Sequence, residues 1–404
     1  MRVILLGFTI PDLVAYKLFE IDPLPAIQTH KFGWSLARAL KFGFEKITLV
    51  SACPVQNYPI VRKLLFRGGV FRSQGVNGVL LGFLNVIILK HLTRLIACFF
   101  TVIPLIKKQR TDWIFLHGVH TPYLLFGLIV RAVGCRMAVV LTDPPGVVLP
   151  KDGLVVSFLK RLDSFFIKIL VMRADAVISL APDLAMSLAP QCPALIFPGI
   201  LDSGIAQIKN SINDGDESFV DERPFLIIYA GGLSSAYGVD RLLEAVVGLE
   251  SNIKVRLELY GRGDQEESIL LASKIDPRIV YGGFVDNKVL LPKLHGADLL
   301  INPRPTNNSF SELSFPSKLI EYLATGVPVL TTRIKSIPDS LKEHYYYIDE
   351  ESAAGIRNAI VDIINIPISY RVARGSAGKS FVTNNYSEEV IGKKIFDFIN
   401  KLKK

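Results

Sequence analysis

The chain is poor in the residues that build metal and disulfide sites. Its 404 residues include four cysteines and six histidines. Cys53, Cys98, Cys135 and Cys192 lie far apart with no Cys-x-x-Cys pair, which argues against a zinc site or disulfide framework and suits a reducing cytoplasm. No ligand cluster has metal spacing, so no metal is expected. The N-terminal "MRVILLGFTIPDL" is too short an apolar run for a signal peptide and turns polar at Pro11 and Asp12. It reads as a first buried parallel strand. Long apolar runs are also scarce: between Gly75 and Arg110, Lys90, His91 and Arg94 break the most membrane-like stretch, so no spanning helix is expected.

Half of the residues are nonetheless apolar, and the length exceeds what one core organises, so two domains are expected. Charge divides unevenly. Residues 1–200 carry 22 Lys and Arg against 10 Asp and Glu, and the remainder 24 against 27. A basic half joined to a mildly acidic half suggests that one of them faces an anionic surface or ligand.

Short apolar runs alternate with helical patterns, the signature of βαβ units around parallel sheets. Strands are expected at Val3–Phe8, Lys46–Ser51, Val79–Leu84, Trp113–His117, Met137–Thr142 and Ala176–Leu180. After a polar, aperiodic linker over 201–224 the pattern restarts at Phe225–Tyr229, Val255–Tyr260, Ile279–Tyr281, Leu299–Asn302 and Val327–Thr331. The expected fold is α/β with two Rossmann-like, doubly wound domains facing each other across a cleft. They span residues 1–200 and 225–380, and a terminal helix at 381–404 packs back toward the first. Ligands of such sheets bind outside the strand C-terminal ends.

The most informative stretch is "FPSKLIEYLATGVPVL", Phe315 to Leu330. Pro316 suits a first helical turn, Ser314 suits a cap just upstream, and Gly326 suits the stop. At about 100° per residue, Ser317, Lys318, Glu321 and Thr325 share one side while Leu319, Ile320, Leu323 and Ala324 share the other. The polar side, with the positive end of the helix dipole, can meet a diphosphate through free N–H groups and the Lys318 ammonium. Glu321, one turn deeper, can accept from two adjacent sugar hydroxyls. The plain alternative is a surface helix carrying a Lys318–Glu321 pair.

That stretch, preceded by "ADLLINPRP", resembles the donor-site signature of glycosyltransferase family four, whose fold is GT-B. "YAGGLSSAYGVDRLLEAV" and "LELYGRGD" match further landmarks in order and spacing, so the resemblance covers Phe225 to about Thr332. It implies that Glu321 holds the nucleotide ribose and that the loop at Gly231 and Gly232 lets backbone approach the diphosphate and sugar. Gly261 and Gly263 would form the turn beside the base, whose edge meets Phe284 and Val285. Two departures stand out. The family's first Glu falls on Leu313, with Glu312 one place off, and its usual basic pair falls on Gly232 and Tyr237. A diphosphate in a dry cleft needs cations. Lys318 is the first candidate, with Arg304 and Arg262 next. The "FPSK" form resembles a bacterial surface-polysaccharide branch that also lacks the first Glu.

The first half matches only in pattern, through "LHGVHTP", "LTDPPG" and "RADAVISLAPDL". His117, His120 and Asp143 end expected strands at the cleft edge, and in the family a His of this region lies near the transferred sugar. His30 and Lys31 could meet an acceptor phosphate. In "SFLKRLDSFFIKILVMR" apolar residues at 158, 159, 162, 165, 166, 169 and 170 form a helical stripe flanked by Lys160, Arg161, Lys168 and Arg173. With the basic apolar region 90–110 this suggests in-plane membrane contact.

The resemblance therefore implies a retaining, metal-independent glycosyltransferase with no cofactor, using a nucleotide sugar and a glycan or lipid-linked acceptor. Its expected place is the inner face of the cytoplasmic membrane, with no nucleic-acid partner. The alternative is a non-catalytic nucleotide-sugar-binding or scaffold protein. A nicotinamide-dependent oxidoreductase is disfavoured, because "GRGD" comes late and lacks the full GxGxxG fingerprint.

Overall fold

The structure, a computed structural model, describes residues 1–23, 25–146, 153–206, 223–307 and 314–402. Contacts divide the chain into two compact units, Met1–Ile200 with Glu388–Lys404, and Leu201–Ser387.

The first unit holds an eight-stranded sheet. Its strands are β1 (Arg2–Gly7), β2 (Lys46–Ser51), β4 (Gly69–Ser73), β5 (Val76–Leu80), β7 (Trp113–His117), β8 (Arg136–Leu141), β9 (Ala176–Ser179) and β10 (Ala194–Ile196). A separate two-stranded ladder joins β3 (Leu65–Phe66) to β6 (Phe83–Leu84). The order in the large sheet is β10-β9-β8-β7-β1-β2-β5-β4, all parallel except the β4–β5 hairpin. β1, β2, β7 and β8 are buried along nearly their whole length, as continuous apolar runs covered on both faces must be. The expected strand Val79–Leu84 is corrected: a hairpin strand stops at Leu80 and Phe83–Leu84 joins the small ladder. The hairpin turns at Gln74 and Gly75, both at positive φ (48° and 72°). That is primed-turn geometry, which Gln-Gly signals weakly. Gln74 is held by Arg38 Nη1, which donates to its Oε1 over 2.6 Å.

The helix Glu388–Lys401 packs on Ile27–Leu40 within this unit. A Cβ at Gly392 would stand 1.9 Å from the Ala39 carbonyl, and Arg38 Nε donates to Glu388 over 2.7 Å.

The second unit is a six-stranded parallel sheet, β13-β12-β11-β14-β15-β16. Its strands are β11 (Phe225–Gly232), β12 (Val255–Arg262), β13 (Ile279–Gly283), β14 (Leu299–Asn302), β15 (Val329–Thr332) and β16 (Tyr346–Ile348). β11 and β12 run further than their apolar patterns predict: Gly231 pairs with Gly261, and Gly232 with Arg262. Gly231, Gly232 and Gly261, expected in loops, are therefore among the last rungs of two strands, and Gly263 follows just after β12. The helix Val239–Val247 and the helix Ala353–Asn365 share one core with β11, β12 and β14.

Candidate functional site

In the second unit β12 and β13 lie to one side of β11, and β14, β15 and β16 to the other. β11 is thus where strand order reverses, the place where open α/β sheets leave a crevice at their C-terminal edge. β11 pairs with β14 only through Ile227 and Ile228. Beyond them the strands part, and Ala230 loses its neighbour. The Tyr322 hydroxyl takes that place, accepting from Ala230 N over 2.7 Å and donating to Ala230 O over 3.0 Å. Burial pushes the Tyr322 phenol well above its usual range. This one side chain docks the helix Lys318–Thr325 on the end of β11. Tyr322→Phe leaves both backbone groups buried and unpaired, so it should cost about 1–3 kcal/mol in denaturant unfolding.

That helix follows β14 and precedes β15, so its first turn lies at the strand C-terminal edge. Lys318 Nζ donates to Glu321 Oε2 over 2.8 Å, with both side chains about one-fifth exposed. Gly326, at φ 82°, closes the helix. Three expectations are corrected. The helix begins at Lys318 behind Ser317, which has helical φ and ψ and no side-chain cap bond. Ser314 is not its cap but a buried residue of the preceding segment, whose carbonyl accepts from Ser336 Oγ over 3.3 Å. Thr325 is fully buried, donating to Tyr322 O over 2.7 Å, because the helix turns this last residue toward its C-terminal cap rather than its polar side. Glu312 and Leu313 lie outside the described residues.

The glycines make a close backbone approach. A Cβ on Gly261 would come within 1.8 Å of Gly231 O, and one on Gly263 within 2.0 Å of Leu233 O. Gly263 N donates to Glu266 Oε1 over 2.8 Å, and Tyr281 OH donates to Glu266 Oε2 over 2.7 Å. Arg262 stands 5.1 Å from the centroid of the exposed Phe284 ring, a cation–aromatic pair, with half-buried Val285 next in sequence. Gly232 has Tyr237 against it, 2.8 Å from where its Cβ would be. Buried Arg304 reaches to 5.8 Å from that ring's centroid. Arg304, just past the end of β14, thus brings a cation beside the Tyr237 position, where the sequence lacks a basic residue.

The first unit reverses its strand order between β1 and β7. His117, the last residue of β7, is fully buried, and neither ring nitrogen has a hydrogen-bond partner. Gly33 of Ile27–Leu40 crosses it so closely that a Cβ would lie 3.1 Å from His117 Cε1 and 2.3 Å from Thr9 Oγ1. Burial pulls His117 down to about 4. Its pKa is therefore lower folded than unfolded, so the unfolded chain binds the extra proton between about pH 6.5 and 4. Stability should fall through that window on acidification and be unaffected above it, and His117→Asn should flatten a plot of unfolding midpoint against pH.

His120 begins the helix Thr121–Arg131, and its Nε2 is buried without a partner. Its ring lies among His91, Tyr123 and Phe8, with centroids 4.8–5.4 Å away. Lys31 is half-buried inside the helix Ile27–Leu40. His30 there meets Asp12 over 3.2 Å, a hydrogen bond that holds the Asp12 carboxyl below its usual range. Asp143 is exposed just after β8. Among the described residues no group of three or more His, Cys, Asp or Glu could hold a metal.

Residues 224–365 match the family model of glycosyl transferases group 1, about a third of the chain. No curated protein matches it by sequence. Solved structures match over its whole length. The sucrose-phosphate synthase of Thermosynechococcus elongatus is 15% identical with a TM-score of 0.67, covering 100% of this chain and 99% of that one. HepE of Anabaena, in complex with UDP, is 12% identical with a TM-score of 0.66, over 99% and 100%. Trehalose-6-phosphate synthase OtsA is 10% identical with a TM-score of 0.68, over 100% and 99%. The fold is GT-B. In this GT-B chain the edge of the second sheet gathers Gly231, Gly232, Gly261, Gly263, Arg262 and Phe284 beside Arg304 and the helix bearing Lys318 and Glu321. The first sheet gathers His117 and His120 at its own switch point. Sequence reasoning missed Tyr322, Glu266 and Tyr281. Tyr322 and Tyr281 act through strand backbone atoms, at Ala230 and Gly261, whereas Glu266 bonds Gly263 N nearby, and only its i+3 spacing hinted at that bond.

Proposed function

We propose that the protein is a retaining, metal-independent glycosyltransferase of the family-four type. It moves a sugar from a nucleoside diphosphate sugar to a hydroxyl of a growing glycan or lipid-linked oligosaccharide at the inner face of the cytoplasmic membrane. The observation that carries this reading is the start of the Lys318–Thr325 helix, set at the sheet's switch point beside two glycine-ended strands inside a segment that matches glycosyl transferases group 1.

In the reaction the anomeric carbon–oxygen bond to the diphosphate breaks, a bond to the acceptor oxygen forms, and the acceptor proton passes to the leaving diphosphate oxygen. The largest charge develops on the leaving diphosphate. Helix N–H groups and the Lys318 ammonium stabilise it there, with Arg304 and Arg262 as further cations. Glycines at the ends of β11 and β12 let the ligand lie against backbone, Glu321 holds the ribose, and the Phe284 and Val285 segment meets the base. Orientation supplies much of the remaining acceleration. His117, His120, Lys31 and Asp143 belong to the acceptor side, and retention rests on the resemblance.

Thermal shift against UDP, GDP, ADP and TDP, with and without magnesium, tests the donor site. One diphosphate should stabilise the protein by about 3–4 kcal/mol at 100- to 1,000-fold excess over its dissociation constant, independently of magnesium. HepE is solved with UDP, which makes UDP the first ligand to try. Glu321→Ala should abolish the shift. No response to any of the four sinks the reading. The ion pair between Lys318 and Glu321 favours a second reading, in which the site binds nucleotide sugar without transfer. Binding with no transfer to any membrane-extract acceptor would establish it.

A further inference from the structure

The helix Leu89–Gln109 is mounted with its cations inward. Its buried line is Lys90, Arg94, Cys98, Val102 and Ile106, one residue in four. Arg94 Nη2 donates to Cys53 O over 2.7 Å, and its guanidinium lies 4.2 Å from the Phe83 ring centroid. Lys90 Nζ bonds to Val55 O and to Asn57 Oδ1. The expectation that Lys90, His91 and Arg94 interrupt the apolar stretch is thereby corrected: the helix runs through them, and two of them anchor it. By length and composition this helix could cross a membrane, yet its inner flank is packed in the core of the first unit. The anchors decide which side looks out, and that side is apolar. Phe100 is 80% exposed there and Ile96 44%.

The two neighbouring helices do the same. Thr121–Arg131 packs between Leu89–Gln109 and Leu154–Val171. Cys98, Phe126 and Ile167, one from each helix, enter a single core against β1, β7 and β8, so the three helices cover one face of the sheet and their outer sides form one surface. On it Leu125 and Ile129 are exposed, and Phe158 and Phe165 stand 65% and 60% exposed. A solvated helix carries polar residues on its outer side. An apolar surface shared by three helices marks a docking site.

The charge around it selects the partner. The three helices contain a single carboxylate, Asp163, which accepts from Thr121 Oγ1 over 2.5 Å. Lys107, Lys108, Arg161 and Lys168 are exposed along the same elements. Apolar side chains that enter the acyl boundary, flanked by cations at headgroup level, match an anionic lipid surface.

We propose that the outer sides of the helices 89–109, 121–131 and 154–171 are a docking surface that lies in the plane of an anionic bilayer. Its use, to bring a lipid-linked acceptor to the first unit, rests on the function proposed above; the surface itself does not. Sedimentation of the full chain with phosphatidylcholine vesicles, with and without 30% phosphatidylglycerol, tests it. The chain should partition at least tenfold more strongly to the anionic vesicles, and less as salt rises. The combined variant Phe100→Ser, Phe158→Ser, Phe165→Ser should lose at least tenfold of that binding, and so should Lys107→Glu with Lys108→Glu, each with an unchanged thermal midpoint and nucleotide shift. Absent or equal partition to both vesicle types overturns the proposal. So does a dimer in light scattering that the triple variant dissociates, because the surface then belongs to a second copy of the chain. Vesicle binding that persists in a protein giving no nucleotide shift separates a failed donor site from a failed membrane surface.

Discussion

Replacing Lys318 by Ala should lower transfer about 10²- to 10³-fold while leaving the protein folded. Removing one preorganised donor from a site of developing charge has a cost of that order. The stability cost is of a different size. Lys318 and Glu321 are neighbours at i and i+3, and such a pair contributes about 0.2–0.5 kcal/mol. The two readings of the pair therefore separate by measurement: turnover at saturating donor against the urea midpoint of the same preparations. Unchanged turnover would leave the pair as helix decoration. Loss of turnover with a matching loss of fold would assign Lys318 to structure alone.

Gly261→Ala should have the other large effect, destabilising the second unit by about 2–4 kcal/mol and removing the nucleotide shift. Two costs combine there. The residue sits at φ 142°, which L side chains rarely adopt, and its Cβ would stand 1.8 Å from a carbonyl oxygen of the paired strand. That oxygen belongs to Gly231, so relief requires the two strand ends to part. Gly283 separates the two causes. It also has positive φ, 71°, but no atom lies within 4 Å of its added Cβ. Gly283→Ala should therefore show only the conformational cost, about 1 kcal/mol. Equal effects of the two substitutions in denaturant unfolding would show that close approach of β11 and β12 matters little.

The alternation of apolar runs and helical stretches is enough to reveal both α/β sheets in the sequence. A parallel strand covered on both faces must be apolar where it is covered, and Val3–Leu6 of β1, Trp113–Leu116 of β7 and Met137–Leu141 of β8 are. The short antiparallel pieces were less legible. The β4–β5 hairpin turns on Gln74, a residue with little turn preference, held there by Arg38 from another element. The starts and stops of strands were misjudged where glycine ends them, because pairing with a neighbouring strand carries β11 and β12 past the last apolar residue.

At the candidate site the sequence by itself determined the local chemistry: a helix with Lys318 near its start, Glu321 one turn on and a stop at Gly326, although its first residue was misplaced. Spacing along one helix fixes which side chains share a side, so these could be named from 16 consecutive residues. Only the tertiary structure decided what lies beside them. Tyr322 reads in sequence as one more residue of the helix, yet its hydroxyl closes the gap where β11 and β14 part. Arg304 reads as an isolated cation, yet it lies over Tyr237 in the short turn that follows β11. The stretch 89–109 reads in sequence as a membrane-like run broken by Lys90, His91 and Arg94, yet Arg94 and Lys90 take the inner side of one continuous helix and turn Phe100 to the outside. In each case the deciding partner is a backbone atom or ring brought in from elsewhere in the chain, and sequence periodicity carries no information about such a partner.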